Sequence, residues 1–247
     1  MQTSHIRNQL DLYSKKIIWL TAFLLCFAIA CNAQKKRWIE KNNPNYDDRK
    51  LTYGFLIGLH TTAYQTKYSD RFVTPSYDTL YAVEPPWSPG FSLGFIVNYR
   101  LEHFFDLRIT PKVAFYEHRL KYLYTNDPNT KEQVVETTMV EFPILLKYKS
   151  ERRGNVRMYM VGGVKPGVEA SGKNKIENAT SELEVKGWNM NLDFGFGFDL
   201  YYPLFKFSPE IRFSKGIVNV LDNTTNQFGE PLDRLNTNTI TVYFLFQ

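Results

Sequence analysis

Residues 188–200 read Trp-Asn-Met-Asn-Leu-Asp-Phe-Gly-Phe-Gly-Phe-Asp-Leu. Trp188, Met190, Leu192, Phe194, Phe196, Phe198 and Leu200 fall on one side of this stretch, and Asn189, Asn191, Asp193, Gly195, Gly197 and Asp199 on the other. Successive side chains of a strand point to opposite faces, whereas a helix repeats every 3.6 residues. A two-residue period sustained this long therefore specifies a β-strand with one aromatic face and one polar face. The next stretch repeats it, with Phe205, Phe207, Pro209, Ile211 and Phe213 alternating with Lys206, Ser208, Glu210 and Arg212.

The same signal places strands near 51–61, 90–100, 105–118, 136–149, 155–170, 186–201, 204–215 and 237–247. Their connections alternate. Long ones span about 62–89, 124–135, 172–185 and 216–236; short ones lie at Glu102-His103-Phe104, Glu151-Arg152-Arg153-Gly154 and Tyr202-Pro203. An even number of strands with long and short connections in alternation is the pattern of an outer-membrane barrel with extracellular loops and periplasmic turns. The expected fold is all-β: an eight-stranded antiparallel up-and-down transmembrane β-barrel. A soluble barrel would turn its apolar face inward around a ligand, but the aromatic face here is too continuous and bulky for an eight-stranded lumen. The chain ends in the alternating strand Ile240-Thr241-Val242-Tyr243-Phe244-Leu245-Phe246-Gln247. It resembles the recognition strand of outer-membrane barrels.

Composition agrees. The 247 residues include 19 Phe, 16 Tyr and 4 Trp against 14 Gly and 12 Pro, which excludes collagenous, low-complexity and disordered chains. A negative mean hydropathy argues against transmembrane helices, not against strands that are apolar on one face.

The apolar run Ile17–Ala30 follows Lys15-Lys16 and precedes Cys31-Asn32-Ala33-Gln34. This is the pattern of a secretory signal peptide, with cleavage expected between Ala33 and Gln34. Ala28-Ile29-Ala30-Cys31 loosely resembles a lipobox but lacks its leading Leu, so simple cleavage is preferred to lipidation. Cleavage removes both cysteines, Cys26 and Cys31, and with them any disulfide or thiolate site. It also removes a net charge of +2, lowering the formal +5 to +3 and weakening any case for nucleic acid. The expected organisation is 1–33 signal peptide, 34–50 periplasmic segment and 51–247 barrel.

If strands 186–201 and 204–215 turn at Tyr202-Pro203, Tyr201 faces Leu204. Asp199 then opposes Lys206, and Asp193 opposes Arg212, as lumen ion pairs. Phe198–Phe207 and Phe194–Ile211 become their lipid-facing counterparts. Arg108, Lys112, Glu141, Lys147 and Glu210 join the lumen set, as a structural network rather than an ion path, because eight strands leave room mainly for side chains. His60, His103 and His118 are the histidines beyond the signal segment. His60 and His118 are expected at the extracellular rim, and no spacing joins them to a nucleophile. Gly162-Gly163 and Gly195-Phe196-Gly197 are not phosphate loops, since no helix follows. No catalytic, metal or cofactor site is expected. In the first long loop Tyr77, Tyr81 and Trp87 offer rigid aromatic contact area for a partner.

Val140-Glu141-Phe142-Pro143-Ile144-Leu145-Leu146-Lys147-Tyr148-Lys149 resembles a strand of the PorT-type outer-membrane barrels of Bacteroidota. Asn43-Pro44-Asn45-Tyr46-Asp47 leading to Tyr53-Gly54-Phe55-Leu56-Ile57-Gly58, and Asn155–Tyr159 followed by Val161–Pro166, are similar to stretches of the PorT/SprT proteins. Leu51-Thr52 departs from a His expected there. The resemblance covers the region after the signal peptide. It implies a non-enzymatic accessory or assembly component of type IX protein secretion, including gliding-motility export. The implied partners are outer-membrane lipid and other envelope proteins of the machinery, not nucleic acid or a small-molecule substrate. The alternative is a PorT-superfamily barrel with a structural or adhesion role outside secretion.

Overall fold

The computed structural model describes residues 42–73, 80–125, 131–170, 183, 185–222 and 228–247. Ala33, Gln34, both cysteines, Lys35-Lys36-Arg37 and Tyr77 lie outside them.

Eleven strands are present among the described residues: β1 (Leu51–Tyr68), β2 (Leu80–Glu84), β3 (Ser88–Arg100), β4 (Phe105–Ile109), β5 (Lys112–Tyr124), β6 (Lys131–Glu141), β7 (Ile144–Lys149), β8 (Val156–Glu169), β9 (Trp188–Tyr201), β10 (Lys206–Gly216) and β11 (Leu232–Phe246). They make eight staves. β4 and β5 are one stave interrupted at Thr110-Pro111, and β6 and β7 are one interrupted at Phe142-Pro143. A proline has no N–H to give to a ladder. β3 accordingly pairs with both β4 and β5, and β8 with both β6 and β7. The remaining neighbours follow chain order, and β1 pairs with β11 from Phe55↔Phe246 to Tyr68↔Leu232. That last ladder closes the ring, so no stave is left as an edge strand. The short β2 pairs with β5 above the wall. Strand β1 runs on to Tyr68, and β2 lies within the expected first loop, so the segment 62–89 is not a single long connection.

The two faces separate by chemistry. Phe55, Phe95, Phe194, Phe196 and Phe213 point outward and are exposed. Tyr53, Tyr99 and Tyr148 form an outward tyrosine belt near the short turns, as amphipathic rings do at a membrane interface. Neighbouring staves stack these rings, with Phe55–Phe246 at 4.9 Å and Phe91–Phe115 at 4.7 Å between centroids. Arg108, Arg212, Lys147 and Lys165 point inward and are fully buried. The interior is crowded enough that a side chain at Gly197 would begin 2.5 Å from the Tyr159 hydroxyl. Glycine there makes room for the tyrosine.

The expected β9–β10 register is corrected. Phe207 pairs with Leu200, Glu210 with Gly197, Phe213 with Phe194 and Ser214 with Asp193, two residues from the anticipated alignment. The cause is the turn. A type I′ two-residue loop needs positive φ at both positions, which Pro203 cannot adopt because its ring fixes φ near −65°, and a type II′ loop needs it at Tyr202, a place for glycine. The loop is instead Tyr202–Phe205, closed by the Tyr202 N–H donating to the Phe205 carbonyl at 2.9 Å. Asp193 therefore does not oppose Arg212, nor Asp199 Lys206, and the Phe198–Phe207 and Phe194–Ile211 pairs do not form. A slip of two residues keeps every side chain on its own face, whereas a slip of one reverses them all.

Phe196 stands on the outward face of β9, between Met160 and Ile211. Phe196→Arg should cost about 2–4 kcal/mol if it lies at the bilayer midplane, measured by urea unfolding from lipid vesicles. An unchanged midpoint would mean that this face is not in hydrocarbon.

Candidate functional site

Glu210 holds the middle of the lumen. Its carboxylate accepts from Arg108 at 2.7 Å and from Arg212 Nε at 2.9 Å. Arg108 also donates to Asn98 at 2.8 Å, and the Arg212 guanidinium lies 4.4 Å over the Tyr243 ring. Towards the long connections, Glu141 pairs with Lys112 at 2.8 Å and Lys165 at 3.2 Å and accepts from the Tyr116 hydroxyl at 2.8 Å. Towards the short turns, Asp199 pairs with Lys147 at 2.6 Å and accepts from Ser208 at 2.6 Å, while Asp106 pairs with Lys149 at 2.6 Å. Charges out of contact with water persist only when paired and hydrogen-bonded. Alternating strands from all round the barrel therefore deliver both signs to the same levels.

The structure brings Asp193 and Arg212 to 3.5 Å, diagonally rather than directly across the ladder. The partner of Asp199 is Lys147. Lys206, expected in that role, instead has its ammonium 4.6 Å over the Tyr46 ring. Lys165, Tyr116, Tyr159 and Tyr243 belong to the network and were not singled out by charge spacing; their inward parity on β5, β8 and β11 is the signal that finds them. His60 and His118 are also corrected. They are not at the rim but buried inside, with His118 stacked on Tyr64 at 4.3 Å and His60 tilted against Tyr116 at 4.5 Å. The outward series Tyr53, Phe55, Ile57 and Leu59 already puts His60 on the inward face.

Both ends are filled. At the long-connection end Tyr64, Leu80, Leu120, Tyr122, Leu221, Phe228 and Leu235 join one apolar cluster, and the Tyr122 hydroxyl donates to the Phe228 carbonyl at 2.8 Å. Beneath it, a cavity lined in part by His118, Asn191 and Thr239 has a volume of about 40 Å³, enough for a water or two. Tyr81 and Trp87 stay on the outside, 76% and 55% exposed.

At the short-turn end, residues 42–50 lie against the barrel. The Asn42 backbone N–H donates to Asn155 Oδ1 at 2.7 Å and its side-chain amide to the Tyr201 carbonyl at 3.0 Å, and the Asn43 side-chain amide donates to the Tyr202 carbonyl at 2.8 Å. The Asp47 carboxylate accepts from Arg157 at 3.0 Å, from the Tyr201 hydroxyl at 2.9 Å and from Arg152 at 3.5 Å. Arg100 donates to the Asp47 carbonyl. Tyr46, in the 3-10 turn Tyr46–Asp48, packs edge-on against Tyr201 at 5.8 Å, and burial pushes its hydroxyl up to about 12.

Residues 32–222 match the family model described as an outer membrane protein beta-barrel domain. The chain belongs to that family. It is a protein of the bacterial outer membrane. Among solved structures, the barrel family member is similar to OprG from Pseudomonas aeruginosa, at 11% identity over 80% of this chain and 94% of that one, with a TM-score of 0.46. Neisserial surface protein A shares 10% identity over 80% of this chain and 98% of its own, with a TM-score of 0.40. Ail, the attachment invasion locus protein of Yersinia pestis, shares 13% identity over 78% and 96%, with a TM-score of 0.33. No curated protein matches the sequence.

Glu210→Gln leaves Arg108 without its buried counter-charge and should cost about 3–5 kcal/mol. Lys67→Ala, which breaks an exposed pair with Asp233, should leave stability unchanged by the same denaturant titration. Asp47→Ala removes the group that three side chains share, so limited proteolysis of the folded protein should cut within 42–50 while leaving the strands intact. Equal resistance in variant and wild type would show that Asp47 does not hold the segment.

Proposed function

We propose that this outer-membrane barrel is a non-enzymatic accessory or assembly component of type IX protein secretion, including gliding-motility export, and that it acts through its surfaces. The observation that carries the proposal is where the resembling motif sits. Asn43, Tyr46 and Asp47 belong to the segment similar to PorT/SprT proteins, and each packs against the short-turn end of the barrel. Short turns face the periplasm in such barrels. On this reading the motif holds residues 42–50 under the mouth and presents them to periplasmic parts of the machinery.

The filled lumen supports the same reading. Among the described residues a charge network fills the space between the stave walls, which favours contact with other proteins as the means of action. Tyr81 and Trp87 provide an exposed aromatic surface at the opposite end, of the kind that anchors protein–protein contacts.

A clean deletion should abolish release of type IX cargo, read from the proteins outside the cell. A Tyr81→Ala, Trp87→Ala double variant should reduce release by about tenfold at an unchanged amount of barrel in the outer membrane, the effect of losing one good contact. Normal release from the deletion strain removes the secretion assignment and leaves a structural or adhesion role.

A further inference from the structure

Lys206 is a buried cation without an anion. It opens β10 directly after the Tyr202–Phe205 turn and shares the inward parity of Ser208, Glu210 and Arg212. The register of the β9–β10 ladder sets Tyr201, not Asp199, opposite it. Only 4% of the residue is exposed, yet its ammonium makes no hydrogen bond or ion pair among the described residues and rests over the Tyr46 ring at 4.6 Å. An aromatic face attracts a cation, but it does not replace the hydration that a buried ion gives up.

The neighbouring acids are already engaged. Asp199 gives one oxygen to Lys147 and the other to Ser208, both at 2.6 Å. Asp106 is held by Lys149 at 2.6 Å, and Asp47 is shared by Arg157, Arg152 and the Tyr201 hydroxyl. These three carboxylates line a cavity of about 20 Å³ together with six cations, Lys206, Arg157, Lys149, Arg100, Arg49 and Lys50. Arg157 is itself buried, and its Nε has no hydrogen-bond partner among the described residues. Arg100 reaches only the exposed Asp48, at 3.8 Å. Arg49 and Lys50 are exposed, so the cavity meets water at the short-turn end. The Arg49 guanidinium lies 5.7 Å from the same Tyr46 ring that carries Lys206.

We infer that this mouth binds one small oxyanion of the phosphate class, taken from the aqueous side. Six cations against three engaged carboxylates repel a cation and attract an anion. A space of this size admits a water-sized group, which is one oxygen set beside Lys206 while the others turn to Arg49 and Lys50. A phosphate has four oxygens to share between the inner ammonium and the outer cations, where chloride is a single atom. It also carries more than one negative charge near neutral pH, where a carboxylate carries one. Lys206 faces the lumen and the staves enclose it, so the anion enters from the short-turn end and not from the bilayer. The inference does not depend on a part in secretion.

The test is a calorimetric titration of the full chain, purified from outer membranes into dodecyl maltoside, with inorganic phosphate at neutral pH in potassium chloride. Phosphate should bind saturably, and acetate about tenfold more weakly. Dihexanoyl phosphatidic acid, the same group on a lipid, should bind no more tightly than inorganic phosphate. Lys206→Met, which keeps an unbranched side chain and removes its charge, should weaken phosphate binding by about tenfold, the loss of one charge-assisted hydrogen bond. If that variant fails to fold, the Arg49→Gln, Lys50→Gln double variant, altered only at exposed residues ahead of β1, should weaken it by about threefold. Lys67→Gln, which removes a cation at the long-connection end, should bind phosphate as the wild type does. No saturable binding, acetate as tight as phosphate, wild-type affinity in Lys206→Met or in the double variant, or an equal loss in Lys67→Gln would each overturn the proposal. Tighter binding of the phosphatidic acid would overturn the aqueous source.

Discussion

A narrow barrel in a membrane has nowhere to hide an unsatisfied polar group. Hydrocarbon outside cannot bond to the backbone, so the ladders must close; the lumen inside is too small for bulk water, so its charges must neutralise one another. The Arg108–Glu210–Arg212 bridge meets the second demand where it is most severe, with all three side chains fully buried. It ties β4 to β10 across the barrel, while Glu141 ties β5 to β8 and Asp199 ties β7 to β9. Lumen pairing thus links staves that are not neighbours in the sheet, and the wall and its filling depend on each other.

That arrangement decides what the barrel can do. The described lumen is occupied by the groups that hold it together. The exposed features lie at the two ends: an aromatic surface at Tyr81 and Trp87, and a docked segment around Asp47 beside a basic mouth. The docked segment extends the same logic, since Arg152 and Arg157 find their anion in a residue that precedes the first strand. Residues 42–50 belong to one compact unit with the barrel.

Much of this was legible in the sequence. Parity alone assigned Phe194, Phe196 and Phe198 to the outside and Arg108, Lys147 and Glu210 to the inside, because a two-residue period leaves no other choice for a strand. Register was not legible in the same way. It depends on the length of the Tyr202–Phe205 turn, and the alternation is satisfied equally by alignments two residues apart. The partner of Asp199 followed from that register and from a third strand, beyond any pairwise reading. Distance along the strand sets His60 and His118 at the rim, whereas parity sets them inside, where they lie. Asp47 carries no periodic signal: one of two adjacent acids in a polar segment, it gains its role only when β8, β9 and the turn between β7 and β8 converge on its carboxylate. The outward face made the membrane location readable, while the secretion role rests on short motifs and on surfaces whose partners lie in other chains.

The central claim, that the lumen is a packed ion network and not a pathway, is tested most directly by conductance in a planar lipid bilayer. Purified wild-type protein, inserted at a verified density, should give no discrete ohmic steps above the bare membrane in potassium chloride. Stable steps of uniform size, scaling with salt concentration as an aqueous pore requires, would contradict the account.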